Sequence, residues 1–121
     1  MLAEVSGVKQ IKGEPRRRWF SEEDFDLIVW LDRLNRIIGF QLCYDIPDDE
    51  RALTWKKKVG YTHHRVDSGE RNRGHAVKAT PVLVSDGVFE HARIAECFKR
   101  HSILINKRIA KFVYNKIMQY R

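Results

Sequence analysis

The chain has 121 residues, 43% of them hydrophobic and 32% charged, with a formal net charge of +7 and a pI near 9.6. This composition is ordinary for one globular domain with a single core. No apolar run approaches the length of a membrane span, and the first residues lack the basic start and apolar middle of a secretory signal. We therefore expect a cytoplasmic protein with no membrane partner.

The charge is divided unevenly along the chain. Residues 21–50 carry a net charge of −7, whereas the segments 1–20, 51–79 and 80–121 carry +3, +6 and +5. A basic chain with one acidic segment has a dipolar surface, which favours nucleic acid or an acidic protein as partner. An acidic patch on one copy that meets the basic helix face of another copy would make a homo-oligomer.

The N-terminal segment, residues 1–15, has two glycines, a proline and few large apolar residues. We interpret it as a flexible lead-in or a poorly anchored first strand. Residues 16–121 are predicted to form a single folded domain, and the sequence contains no internal repeat and no low-complexity segment.

Apolar and β-branched residues predict strands in the first part of this domain. The clearest two are Phe25–Leu31 and Ile37–Asp45, joined by a hairpin turn in which Asn35 can take a positive φ. The segments RALTWKK and YTHHRVD predict a third and a fourth strand, and Thr80–Val84 predicts a short edge strand. This run indicates an antiparallel meander, with a polar loop at 68–79.

Two helices are predicted to follow. The first runs from Ser85 or Asp86 to about Arg100, and Ser102 is predicted to cap the second. The second helix has one apolar stripe, formed by Ile105, Ile109, Phe112, Val113, Ile117 and Tyr120. Lys116 falls within this stripe, so it must snorkel or mark fraying. The predicted fold class is α+β, a four- or five-stranded mainly antiparallel sheet (meander) with two C-terminal helices packed on one face.

The histidine pair His63-His64 is the first candidate for a chemical site. Neighbouring residues of a strand point to opposite faces, so the two rings cannot chelate one ion together. His63 would share a polar row with Arg65 and Asp67, whereas His64 goes with the more apolar face and is expected to be half-buried. Acid–base catalysis could use the polar row and the loop after it. The candidate catalytic residues are His63, Asp67 and Glu70.

Motifs for metals, cofactors and activated nucleophiles are missing from the sequence. It contains no HExxH, no paired CxxC, no HxH, no GxSxG and no glycine-rich phosphate loop. We therefore predict no metal site and no cofactor, although His63, Asp67, Glu70 and His75 are ligand types that lie near one another in sequence. Cys43 and Cys97 lie far apart in apolar surroundings, so we interpret both as buried free thiols.

Two segments place a tryptophan beside cations, namely RRRW at Arg16–Trp19 and WKKK at Trp55–Lys58. A ring beside cations is typical of surfaces that bind single-stranded nucleic acid. Both tryptophans would also suit the core, where Trp55 would share one side of its strand with Leu53. The candidate binding residues are Trp55, Lys56, Lys57, Lys58, Arg65, Arg71, Arg73 and His75.

The segments DLIVWLDRLNRIIGFQLCYD, ALTW and HRVDSGE resemble a group of small bacterial α+β proteins to which no function is assigned. The resemblance covers most of residues 16–90. It implies a self-contained bacterial cytoplasmic domain and no catalytic role for any residue.

From these patterns we expect a non-enzymatic binding or interaction domain that favours acidic ligands or partners. Two alternatives stay open: a small hydrolase or nuclease-like enzyme that uses His63, Asp67 and Glu70, and a binder of single-stranded nucleic acid. The enzyme requires these three side chains to converge in a pocket. The nucleic-acid binder requires Trp19 and Trp55 to be exposed beside the lysines.

Overall fold

The computed structural model describes residues 1–46, 48–66 and 89–120. Within these ranges, six strands are followed by two helices. The elements are β1 (Ala3–Glu4), β2 (Arg16–Ser21), β3 (Asp26–Leu31), β4 (Ile37–Tyr44), β5 (Arg51–Lys56), β6 (Gly60–Arg65), α1 (His91–His101) and α2 (Lys107–Met118). Neither helix in the described ranges is long and apolar enough to cross a membrane.

The six strands form one sheet in which every strand pairs antiparallel with its neighbour in sequence. The predicted meander is therefore confirmed, but the predicted count of four or five strands is wrong. β1 has only two residues and was expected only as one alternative for residues 1–15, a poorly anchored first strand. β2 was not predicted as a strand because three arginines hide the alternation at its start. The predicted edge strand at Thr80–Val84 lies outside the described residues.

The N-terminal segment joins the sheet at its beginning. Leu2 is fully buried, and its backbone N–H donates to the carbonyl of His101 at 2.8 Å. The N–H of Val5 donates to the carbonyl of Trp19 at 2.8 Å. The first residues of the predicted lead-in 1–15 therefore pack together with the domain that follows.

The helices cover one face of the sheet and form the core with it. The strand register places five side chains in one row on this face: Phe20, Leu27, Leu42, Leu53 and His63. The helices contribute the buried residues Ile94, Ala95 and Phe98 from α1 and Ile109, Val113 and Ile117 from α2. Burial of these apolar side chains is the main favourable contribution to folding, and the predicted α+β class is confirmed.

Both helices begin later than the sequence predicts. Phe89 and Glu90 are not helical, so α1 begins at His91 and not at Ser85 or Asp86, which lie outside the described residues. Ser102 follows the end of α1 and is buried. The cap of α2 is Asn106, whose Oδ1 accepts the N–H of Ile109 at 3.1 Å and satisfies one of the unpaired donors of the first turn.

Candidate functional site

The side of the sheet opposite the helices carries two tryptophans, and the described part of the chain places no helix over it. Trp19 of β2 pairs with Ile28 of β3, and Trp30 comes two residues after Ile28. The two tryptophans are therefore diagonal neighbours on adjacent strands. Trp19 is 37% exposed and Trp30 is half-buried. We call the surface formed by Arg17, Trp19, Ile28, Trp30 and Lys56 the tryptophan face.

Specific contacts hold both rings in place. The indole N–H of Trp19 donates to Oδ1 of Asp26 at 2.7 Å. Trp30 lies against Gly39, where a Cβ would stand 3.2 Å from the Trp30 ring and 3.0 Å from a backbone oxygen of β5. The ammonium of Lys56 is 5.5 Å from the centre of the Trp30 ring, a cation–π distance. Both rings are thus positioned before any ligand binds.

The antiparallel topology collects cations at one end of the sheet. The turn before β2, the β3–β4 turn and the β5–β6 turn all lie at this end, and Arg108 at the start of α2 reaches it by donating to the carbonyl of Asn35 at 2.9 Å. Among the residues that the structure describes, the acids at this end are Glu14 and Asp32, and Asp32 pairs with Arg36 at 2.8 Å. We call this the basic end, and its described cations are Lys9, Lys12, Arg16, Arg33, Arg36, Lys56, Lys57, Lys58, Lys107 and Arg108.

The opposite end of the sheet is acidic because it holds the β2–β3 and β4–β5 connections. We call it the acidic end, and its described carboxylates are Glu22, Glu23, Asp24, Asp45, Asp48, Asp49, Glu50 and Glu90. Arg93 of α1 bridges two of them, Asp45 at 3.1 Å and Glu90 at 2.8 Å. The uneven charge of the sequence thus becomes a separation of charge between the two ends of one sheet.

Trp55 lies on the helix side of the sheet. Its ring stacks on Phe40 at a centroid distance of 6.2 Å and meets Phe112 of α2 at 5.4 Å. The ammonium of Lys116 is 4.3 Å from the centre of the same ring, so this lysine snorkels along the apolar stripe of α2. Trp55 is half-buried, as Trp30 is, and of the three tryptophans Trp19 is the one classed as exposed.

The other predicted binding residues divide into three groups. All three lysines are exposed: Lys56 ends β5 and belongs to the tryptophan face, and Lys57 and Lys58 lie in the turn to β6. Arg65 is exposed at the far end of β6, towards the acidic end. Arg71, Arg73 and His75 lie outside the described residues, as do the candidate catalytic residues Asp67 and Glu70.

The predicted polar row of β6 faces the helices, which reverses the predicted faces of this strand. The register pairs His63 with Leu53, and the His63 ring lies 6.0 Å from Tyr44 and 4.9 Å from Phe89 between centroids. The hydroxyl oxygen of Tyr44 and Nε2 of His63 are 2.5 Å apart. His64 lies on the other side of the sheet and is buried, more deeply than predicted. Asp67 and Glu70 lie outside the described residues, so the convergence of His63, Asp67 and Glu70 in one pocket stays a prediction.

The two cysteines are free thiols, as predicted. Cys43 is buried, but the predicted burial of Cys97 is wrong because it is only partly buried in α1. Burial, together with the neighbouring carboxylate of Glu50, raises the pKa of the Cys43 thiol to about 12. This thiol is therefore protonated at neutral pH and a poor nucleophile. In the ranges that the structure describes, no three His, Cys, Asp or Glu side chains come together as a metal site requires.

Trp30 is the member of the tryptophan face that the sequence reasoning missed. The segment FDLIVWL is almost continuously apolar, which suits a central strand but does not show which of its side chains face away from the core. In the structure, burial alternates strictly along β3, and Trp30 falls at a half-buried position. Reading β3 by strict alternation, with Gly39 as the cross-strand neighbour of Trp30, would have found it.

Comparison with known proteins gives no relative for this chain. No family model, no curated protein and no solved structure matches it. The function is therefore inferred from the geometry and the charge of the chain itself.

Proposed function

We propose that this protein is a non-enzymatic binding domain whose acidic ligand is single-stranded nucleic acid, held on the tryptophan face. The observation that carries the proposal is the side-by-side arrangement of Trp19 and Trp30 in β2 and β3, on the face of the sheet opposite the described helices. Every base has a flat apolar surface, so stacking on tryptophan binds single strands of any sequence. An antiparallel sheet with aromatic residues on its open face is a frame that RNA-binding domains use.

The spacing of the two rings suits neighbouring bases. Diagonal neighbours on adjacent strands are about 7–8 Å apart, a separation that a single strand with splayed bases can span. Each stacked base contributes about 1–3 kcal/mol to binding. The bases of a duplex are already stacked on one another, so this mode of binding favours single strands over duplexes.

The charges around the tryptophan face favour one path for the bound nucleic acid across the sheet. Arg17 and Lys56 border the rings, and Lys57 and Lys58 continue the basic surface past the end of β5. The acidic end repels phosphate, and Asp26 is already engaged by the indole of Trp19. The phosphate backbone is therefore expected to run from the tryptophan face towards the basic end.

The first prediction is that Trp19→Ala weakens binding of a fluorescently labelled oligothymidine about tenfold, because one stacking surface is lost. Fluorescence anisotropy measures this affinity directly. Trp55→Phe is the matched control, since Trp55 packs against Phe40 and Phe112 on the helix side. Equal loss in both variants, or none in Trp19→Ala, would contradict the proposal.

Salt and competitors separate nucleic acid from the other acidic ligands. Affinity should fall steeply with added salt, and Lys56→Gln should lower the slope of that dependence by about one, whereas Lys111→Gln on the exposed side of α2 should leave it unchanged. A duplex of the same length should compete poorly. If polyglutamate competes as well as oligothymidine does, the ligand is an acidic protein.

A further inference from the structure

Three turns at the basic end each expose one aliphatic side chain. These are Ile11 in the turn before β2, Leu34 in the β3–β4 turn and Val59 in the β5–β6 turn, with exposed fractions of 41%, 69% and 70%. Turns are normally polar at their tips, and an exposed leucine or valine there contributes nothing to the core. What distinguishes these three side chains is that the fold brings them to the same end of one sheet.

Each of these aliphatic side chains is flanked by cations. The flanking residues are Lys9 and Lys12 for Ile11, Arg33 and Arg36 for Leu34, and Lys57 and Lys58 for Val59. The pattern repeats in three separate segments of the sequence that the fold brings to the same end. The basic end therefore presents apolar and cationic side chains together on one surface.

Hydrogen bonds connect the first turn to the second and the third turn to the start of β4. Arg16, which follows the first turn, donates to the side chain of Asn35 in the second turn at 3.1 Å. The backbone N–H of Lys57 in the third turn donates to the carbonyl of Ile38 at the start of β4 at 2.9 Å. Asn35 takes a φ of 63°, which keeps the β3–β4 turn tight. The three turns are therefore anchored at the same end of the sheet.

We propose that the basic end docks on the surface of an anionic lipid bilayer, with the three aliphatic tips inserted among the headgroups. A bilayer surface offers both layers that this end matches: anionic headgroups for the cations and, beneath them, an apolar region for the aliphatic tips. Phosphates of nucleic acid would satisfy the cations but leave Ile11, Leu34 and Val59 in water. The proposal rests on the three aliphatic tips, which the proposed function does not use, and the two surfaces share Lys56, Lys57 and Lys58. It departs from the sequence-based expectation of no membrane partner, which considered spanning segments.

Sedimentation with lipid vesicles tests this docking. The full chain is expected to sediment with vesicles of phosphatidylcholine containing phosphatidylglycerol, and not with vesicles of phosphatidylcholine alone. The double variant Leu34→Ser, Val59→Ser keeps every cation and should reduce partitioning on the order of tenfold, because two inserted aliphatic groups are lost. Leu104→Ser is the matched control, since Leu104 is 71% exposed in the connection between α1 and α2.

Each outcome decides the docking proposal. Loss of vesicle binding in the double variant but not in Leu104→Ser supports it. Absence of binding to anionic vesicles, an unchanged double variant, or equal losses in the double variant and the control overturns it. Circular dichroism of each variant checks the fold, and oligothymidine affinity is measured in parallel. Retained oligothymidine affinity in the double variant and retained vesicle binding in Trp19→Ala would show that the two surfaces act separately.

Discussion

At the scale of single residues, Glu22 shows how one carboxylate joins distant parts of the chain. Its side chain is 7% exposed and accepts from Nδ1 of His101 at 2.9 Å and from the N-terminal ammonium at 3.0 Å. Burial opposes ionisation of this group, but the hydrogen bonds from His101 and from the ammonium outweigh it, so the pKa of Glu22 lies below its usual value of 4.5. Glu22 thus ties the β2–β3 connection to the end of α1.

Glu22→Gln is expected to lower the free energy of unfolding by about 1–2 kcal/mol at neutral pH, because hydrogen bonds to a charged group are lost. The pKa of Glu22 is lower in the folded state than in the unfolded state. The stabilisation is therefore fully present above the unfolded pKa and is lost as the pH falls through the folded pKa. Urea unfolding of both proteins across this range measures the difference, which should shrink towards zero in acid.

Glu23→Gln is the matched control for this prediction, because Glu23 is the exposed neighbour of Glu22. Its effect should stay within about 0.5 kcal/mol. A difference between wild type and Glu22→Gln that does not change with pH would show that the ionised carboxylate is not the source of the stability.

At the scale of secondary-structure elements, Gly39 of β4 leaves room for groups of the two neighbouring strands, β3 and β5. A Cβ at position 39 would meet the backbone oxygen of Trp55 at 3.0 Å and the ring of Trp30 at 3.2 Å. The first contact is with backbone and cannot yield without moving β5. Gly39 therefore allows the close approach of β5 and the seating of Trp30 at the same time.

Gly39→Ala is expected to destabilise the protein by about 1–3 kcal/mol, because the added methyl group overpacks the centre of the sheet. Thermal unfolding measures this loss, and a change in the tryptophan emission of the folded state should accompany it as the Trp30 ring is displaced. Thr62 is an exposed residue of β6 on the same side of the sheet as Gly39, and Thr62→Ala should leave the stability and the tryptophan emission nearly unchanged. If Gly39→Ala and Thr62→Ala are equally stable, the sheet accommodates a methyl group at position 39 without losing stability, and the prediction is wrong.

The sequence predicts those elements whose local signals and tertiary context agree. β3, β4 and the turn at Asn35 were recognisable because apolar residues are dense there and Asn tolerates the φ of 63° that the turn requires. β2 was not, because its three arginines look like a solvated segment and pairing with β3 decides its conformation. The start of α2 was misplaced because Ser102 and Asn106 are both good capping residues, and only packing chooses between them.

The candidate site was less predictable than the fold because it depends on which side of each strand faces the helices. The pattern WKKK draws attention to Trp55, yet the register places Trp55 beside Phe40 on the helix side. Trp19 and Trp30 become neighbours only through the pairing of β2 with β3. The tryptophans and the cations can be identified in the sequence, but only the register of the sheet shows which of them share a surface.

At the scale of the whole molecule, the meander converts a pattern of charge along the chain into two charged ends. Alternate connections of an antiparallel meander lie at opposite ends of the sheet. The acidic residues of 22–25, 45–46 and 48–50 therefore fall together, opposite the basic turns. Such a separated charge orients an approaching polyanion and speeds its association. It also explains why a protein with a net charge of +7 can offer phosphate one favourable end and one unfavourable end.

The most direct test of the central claim is backbone amide NMR of the labelled protein, titrated with oligothymidine. Binding on the tryptophan face predicts the largest shift changes in β2 and β3 around Trp19 and Trp30, and smaller ones in the β5–β6 turn at Lys57 and Lys58. The amides of α1 and of the acidic end should stay unchanged. Shift changes confined to the helices or to the acidic end, with β2 and β3 unaffected, would contradict the account.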